Sequence, residues 1–170
     1  MNTSKERKNY REAREQWLIK PIPARRGECY GQEITLASPL WQKTACIQIR
    51  RYLAIECGCG FNWDTSDDGW QDVVVLPFTE DNFHSQTGEC VEMLIGAAGF
   101  CYFSDVNAWW LSFVWIHPFF RNRKLVRSAY PEWLDRFGDF SIEMPVSKAF
   151  QAVIRKYGTD NQKKYCQVIP

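Results

Sequence analysis

The sequence predicts one α/β (α+β) domain built on a mixed, centrally antiparallel sheet with flanking helices. Three observations predict it. Two long apolar stretches, residues 91–102 and 108–116, are joined by a short turn at 104–107, the pattern of an antiparallel hairpin. Helix start and stop signals bracket residues 39–58 ahead of that hairpin. From Ala108 to Gly158 the chain reads strand, basic turn, helix, strand, helix. At 170 residues there is room for one substantial core, and eight Trp, seven Tyr and eleven Phe exclude disorder across the bulk of the chain.

Residues 1–26 read as a basic helical arm and linker, and 27–170 as the domain. Met1–Arg26 carries eight Lys/Arg and three Glu, net +5, which leaves −4 on the remainder to give the chain's +1. Thr3 with Glu6 forms a capping-box pattern for a helix ending near Leu18. Glu6, Glu12 and Glu15 interleave with the bases at helical spacing, so a solvated helix is favoured over a nucleic-acid contact. Pro21 and Pro23 predict an extended linker, and residues 28–36 a first strand.

Ser38 offers a capping oxygen before Pro39, opening a helix to about Glu56 with Leu40, Ile47 and Leu53 as core candidates. Gly58 and Gly60 end it. In the polar turn 62–69, Asp64, Asp67 and Asp68 lack the distal bidentate Glu of a calcium loop and read as solvated. Residues 73–78 are a short buried strand ended by proline, and 79–89 a polar connection. Gly96 and Gly99, inside the strand at 91–102, predict a bulge or a close backbone approach.

Past the basic turn, Leu125, Ala129, Trp133 and Phe137 keep one helical face, while Pro131 predicts a kink or two short helices. Residues 140–144 alternate as a strand. Val146, Phe150, Val153, Ile154 and Tyr157 then make the apolar face of a helix that Gly158 caps. Residues 165–169 are predicted to return as an edge strand.

Seven cysteines at irregular spacing, without a secretion signal, predict reduced and mostly buried thiols. The Cys57-Gly58-Cys59 pair, with Cys46, Cys29 or His84, lacks the second close pair of a zinc site, so no metal is expected. No apolar run is long enough for a bilayer, so the chain is expected in the cytoplasm without a membrane partner.

Arg121-Asn122-Arg123-Lys124-Leu125-Val126, preceded by Val114-Trp115-Ile116-His117-Pro118, resembles the Arg/Gln-x-x-Gly-x-Gly/Ala turn of the GNAT superfamily of N-acetyltransferases. The aromatic-rich strand and the Lys at the first glycine position are similar to cohesin acetyltransferases. Lys124 and Val126 stand where small residues are usual. The resemblance covers residues 108–158 and extends more loosely back to about Leu36.

It implies a splayed strand pair that holds acetyl-CoA, the acetyl donor. Pantetheine partners would be Trp115, Ile116 and His117 opposite residues 140–144. The pyrophosphate would sit on Arg121, Asn122, Arg123, Lys124, Leu125 and Val126 at a helix start. Lys124 would compensate for missing glycine by charge, and Arg121 and Arg123 by directed hydrogen bonds.

The catalytic candidates keep two readings each. His117 is a base near neutrality or a structural hydrogen-bonding group. Glu143 lies on the polar face of its strand, as a carboxylate base or a solvated residue. Ser147 bonds the thioester or caps its helix. Tyr157, near the position from which many superfamily members protonate the leaving thiolate, is that acid or part of the core. Direct amine attack needs no cysteine nucleophile.

The function implied is an acetyl-CoA-dependent N-acetyltransferase (an acyltransferase) whose acceptor amine is a protein lysine or a small molecule. Asp64, Asp67, Asp68 and Asp72 would draw in a cationic acceptor or merely solubilise. The alternative is a non-catalytic CoA-binding or protein-interaction module that retains the fold.

Overall fold

The computed structural model describes residues 19–60, 62–84, 89–144 and 146–166, apart from the side chains of Phe83, His84 and Tyr165. The helix expected between Thr3 and Leu18 lies outside them. In chain order come β1 (Ile22–Pro23), α1 (Leu40–Cys57), α2 (Asp67–Trp70), β2 (Val73–His84), β3 (Glu89–Phe103) and β4 (Ala108–Ile116). A 3-10 turn (Pro118–Phe120), α3 (Leu125–Phe137), β5 (Ser141–Ile142), α4 (Lys148–Tyr157) and α5 (Asp160–Tyr165) follow.

The sheet is mixed and mostly antiparallel, as the sequence predicts. β3 is its axis, paired antiparallel with β2, β4 and β1, while β5 joins β4 in parallel. Leu94 pairs with both Thr79 of β2 and Ile22 of β1. β1 therefore continues the β4 side of β3, just past the last β3–β4 pair, Gly96 with Ile116.

Alternating side chains divide the interior into two cores. One lies beneath α1 and contains Tyr30, Ile34, Cys46, Ile49, Trp70, Leu94 and Trp115. The other lies beneath α3, α4 and α5 and contains Phe100, Leu111, Tyr130, Trp133, Phe140 and Ile154. Phe100 is its centre, stacked on Phe137 at 4.1 Å and edge-on to Phe140 at 5.2 Å and Trp133 at 5.5 Å.

The two strand glycines are required by close approach. A Cβ on Gly96 would lie 2.5 Å from the Trp115 carbonyl oxygen, and one on Gly99 would lie 2.2 Å from the Phe113 ring. The register shifts after Gly99, which makes the expected bulge.

Several elements depart from expectation. Ile22–Pro23, read as linker, is a paired strand, because the extended conformation proline imposes is what the open edge of β3 accepts. Residues 28–36 form no strand; Ile34 alone bridges to Val75. Pro77 does not end β2, which runs on to His84 as an edge strand, where a missing N–H is tolerated.

Ser38 does not cap α1: its hydroxyl accepts from the Thr35 N–H at 3.0 Å, while Leu40 is 61% exposed. Pro131 leaves α3 as one helix. Tyr165, the expected start of an edge strand, ends a helix instead, because Thr159 and Gln162 form a reciprocal capping box, and residues 167–169 of that strand lie outside the described residues. Most of the cysteines are exposed or half-buried, and only Cys46 and Cys166 are buried. Among the described residues, no helix is long and apolar enough to cross a membrane.

Candidate functional site

β5 pairs with β4 only at Ser141–Trp110 and Ile142–Leu111, and the Glu143 N–H adds one bond to the Leu111 carbonyl at 3.0 Å. Beyond that point the strands part. Among the described residues, the 112–116 edge of β4 has no strand opposite it. Residues 140–144 therefore pair half a strand earlier than opposite Trp115–His117. The bulge bends β4 where the parting begins. A cavity of about 420 Å³ opens along residues 114–116 of that unpaired edge, between the C-terminal turn of α1 and the N-terminal ends of α3 and α4, with no β5 residue in its lining. That volume lies within the range of small-molecule sites.

The basic turn forms one wall. Lys124 has φ 64° and Asn122 φ 67°, so both hold the left-handed backbone that glycine normally supplies. For Lys this costs about 1 kcal/mol. The chain thus reaches the glycine-type turn without glycine. Val126 turns its side chain into the second core.

α3 starts at Leu125 with no capping side chain and no acid in its first turn. The N–H groups of Leu125, Val126 and Arg127 have no intrahelical acceptor, and all three residues line the cavity. Together with the helix dipole they turn positive potential toward the cavity. Lys124 is in no ion pair among the described residues.

The arginines are placed otherwise than expected. Arg121 makes two bonds to the Glu56 carboxylate at 2.7 and 2.5 Å and a third to the Ile116 carbonyl at 2.9 Å. Arg123 pairs with Glu80 at 2.8 Å and lies over the Phe120 ring. Both line the cavity with their charge already countered. Lys124, the helix N–H groups and Arg127, whose bond is to the Tyr157 hydroxyl and not to a carboxylate, therefore carry the excess positive potential.

Of the residues expected to touch cofactor, all but His117 line the cavity. The His117 ring is 1% exposed. Its Nδ1 accepts from the Phe119 N–H at 3.3 Å, so Nε2 carries the proton and donates to the Ile19 carbonyl at 3.1 Å. Burial holds its pKa below the usual value; the hydrogen bond to Ile19 opposes this, and the charge of Arg121 adds to it. It is a structural group rather than a base.

Tyr157 does not reach the cavity. It ends α4, its hydroxyl accepts from Arg127 at 2.6 Å, and that bond draws its phenol below the ordinary range. Ser147 does line the cavity and also caps α4, accepting from the Phe150 N–H at 3.2 Å. Glu143 sits at the parting point on the α1 side of the sheet, exposed, and accepts from the Ser112 hydroxyl at 2.8 Å.

Leu53, Glu56 and Cys57 from α1, and Ala149 and Val153 from α4, also line it. Sequence reasoning missed them because only tertiary packing brings those helices to the turn. Burial, then the charges of Cys59 and Glu56, push the Cys57 thiol up, away from nucleophilic use.

A smaller cavity of about 210 Å³ lies along the α1 side of β4, at the bulge. Asp64, a candidate for attracting cations, is taken up locally by bonds from the Ser66 N–H and hydroxyl. Among the described residues no three metal-ligating side chains cluster. No family model, curated protein or solved structure matches this chain.

Proposed function

We propose that this chain is an acetyl-CoA-dependent N-acetyltransferase of the GNAT type. The observation that carries the reading is the unpaired 114–116 end of β4 lining one cavity with an uncapped helix start and its left-handed turn. An anion site and an open strand edge then face one cavity, which is what a diphosphate joined to an amide-rich arm requires.

Acetyl-CoA supplies the acetyl group as a thioester. Lys124 and the N–H groups of Leu125, Val126 and Arg127 bind its pyrophosphate. The β4 edge offers backbone partners to the pantetheine amides. Arg121, fixed by Glu56, braces the turn against α1.

Attack of a neutral amine's lone pair on the thioester carbon forms the C–N bond as the C–S bond breaks. Glu143 takes the proton from nitrogen, and the departing sulfur is protonated from solvent. The Ser147 hydroxyl hydrogen remains available to the thioester region.

One observation favours the second reading, a CoA-binding module without chemistry. Among the described residues, the one carboxylate lining the large cavity, Glu56, is committed to Arg121 and to the Trp115 indole at 2.8 Å.

Melting in the presence of ligand tests the binding claim, since a ligand at 100 times its Kd stabilises by about 2.7 kcal/mol. Millimolar acetyl-CoA is expected to raise Tm by several degrees, and Lys124→Ala to weaken that affinity about tenfold without lowering the ligand-free Tm. Absence of any shift sinks the reading. A shift without turnover on any amine selects the binding module.

A further inference from the structure

The smaller cavity carries an inference about the acceptor, and it rests on the acetyltransferase reading. Its apolar walls are Trp63, stacked on Trp70 at 4.7 Å, and Phe113. Ser112, the residue at the bulge, lines it and hands a hydrogen bond to Glu143. Arg50, half-buried on α1, closes another side.

Arg50 differs from Arg121, Arg123 and Arg136, each of which is paired with a glutamate. Its contacts among the described residues are the Phe113 ring at 6.0 Å and the Cys59 sulfur at 3.8 Å, with no carboxylate. A guanidinium held partly out of water with no counter-ion is costly, and it has two-pronged donor geometry suited to a carboxylate. The cavity therefore presents a cation at one wall, an anion behind a hydroxyl at another, and aromatic surface between.

We propose that the acceptor is a free aminocarboxylate, an amino acid with an apolar side chain. Arg50 would hold its carboxylate, Trp63 and Phe113 its side chain, and Ser112 with Glu143 would receive its amine at the parting of the strands. A dry cavity of about 150 Å³ accommodates benzene, so about 210 Å³ suffices for a leucine or phenylalanine side chain. A protein lysine or a polyamine brings no anion to Arg50 and adds positive charge beside it. Those acceptors are disfavoured.

The experiment compares leucine with isoamylamine, and phenylalanine with phenethylamine, under saturating acetyl-CoA, by following released thiol. A lysine peptide with blocked ends completes the panel. The amino acids are expected to show kcat/KM at least tenfold above their decarboxylated partners. Arg50→Met should erase that preference through KM, and Arg50→Lys should restore part of it. Melting curves of both variants show that they fold.

Equal turnover of each pair overturns the inference, as does a preference that survives Arg50→Met or a peptide lysine used best. If acetyl-CoA raises Tm but nothing is acetylated, the inference falls together with the acetyltransferase reading it rests on. No response of Tm to acetyl-CoA overturns instead the reading beneath it.

Discussion

At the scale of single residues, the chemistry turns on which polar groups are already committed. His117 and Arg121 are the residues that a motif would nominate first, and both are bound into the structure. Lys124 and Arg50 are without carboxylate partners among the described residues, and these cations mark the two cavities. The His117 assignment predicts a pH signature. Its folded pKa lies below the ordinary 6.5, chiefly through burial, so between the two values the unfolded chain binds more protons. The stabilisation is complete above about pH 6.5 and is lost as pH falls through the folded value. The Tm difference between wild type and His117→Gln should therefore shrink from pH 7 to pH 5. A difference that stays constant over that range contradicts a buried neutral imidazole. The sequence placed His117 at the right strand end. It could not tell a cavity wall from a buried ring, because that depends on Ile19, almost a hundred residues earlier in the chain.

At the scale of elements, α3 carries the proposed anion site and also a defect. Pro131 is exposed in mid-helix and leaves the Arg127 carbonyl without its usual donor. Tyr130, Trp133 and Phe137, all buried, hold the helix down regardless. Pro131→Ala restores the bond; the helix-propensity gain of about 3 kcal/mol is reduced by the freer unfolded chain, leaving about 1–2 kcal/mol. For a chain of this size that is a Tm rise of roughly 2–8 °C, and an unchanged or lower Tm would show that the packing depends on the proline itself. The elements legible in the sequence are those whose own residues specify them. Gly58 at φ 64° stops α1, and the amphipathic period sets α4. The Thr159–Gln162 capping box is equally specified by its own residues. The short strand β1 was not legible, and β5 was legible as a strand but not in its pairing register, since neighbouring strands rather than local propensity set these. Half the cavity lining was hidden for the same reason.

At the scale of the whole molecule, residues 19–26 pack into the domain. Ile19 is 4% and Ala24 7% exposed in the first core, and the Ala24 N–H bonds the Glu92 carbonyl at 2.8 Å. Tyr30 donates to the carbonyls of Ile22 and Pro23 at 3.1 and 3.3 Å, and His117 to that of Ile19. This belt closes the β3 edge where β4 turns away, so it helps to hold the parted strands that form the cleft. Removing it exposes about one isoleucine's worth of core, roughly 1.5–3 kcal/mol. It also strands the buried His117 donor and the Tyr30 hydroxyl, each at about 1–3 kcal/mol. The sum exceeds about 3 kcal/mol, against a typical total of 5–15 kcal/mol. A chain starting at Gly27 should therefore lose at least that much in denaturant unfolding relative to the full chain. Its melting response to acetyl-CoA should weaken with it, because the end of β4 loses its anchor. If the shortened chain unfolds within about 1 kcal/mol of the full one, residues 19–26 are a linker after all, and the cleft is held open by the bulge and the strand glycines alone.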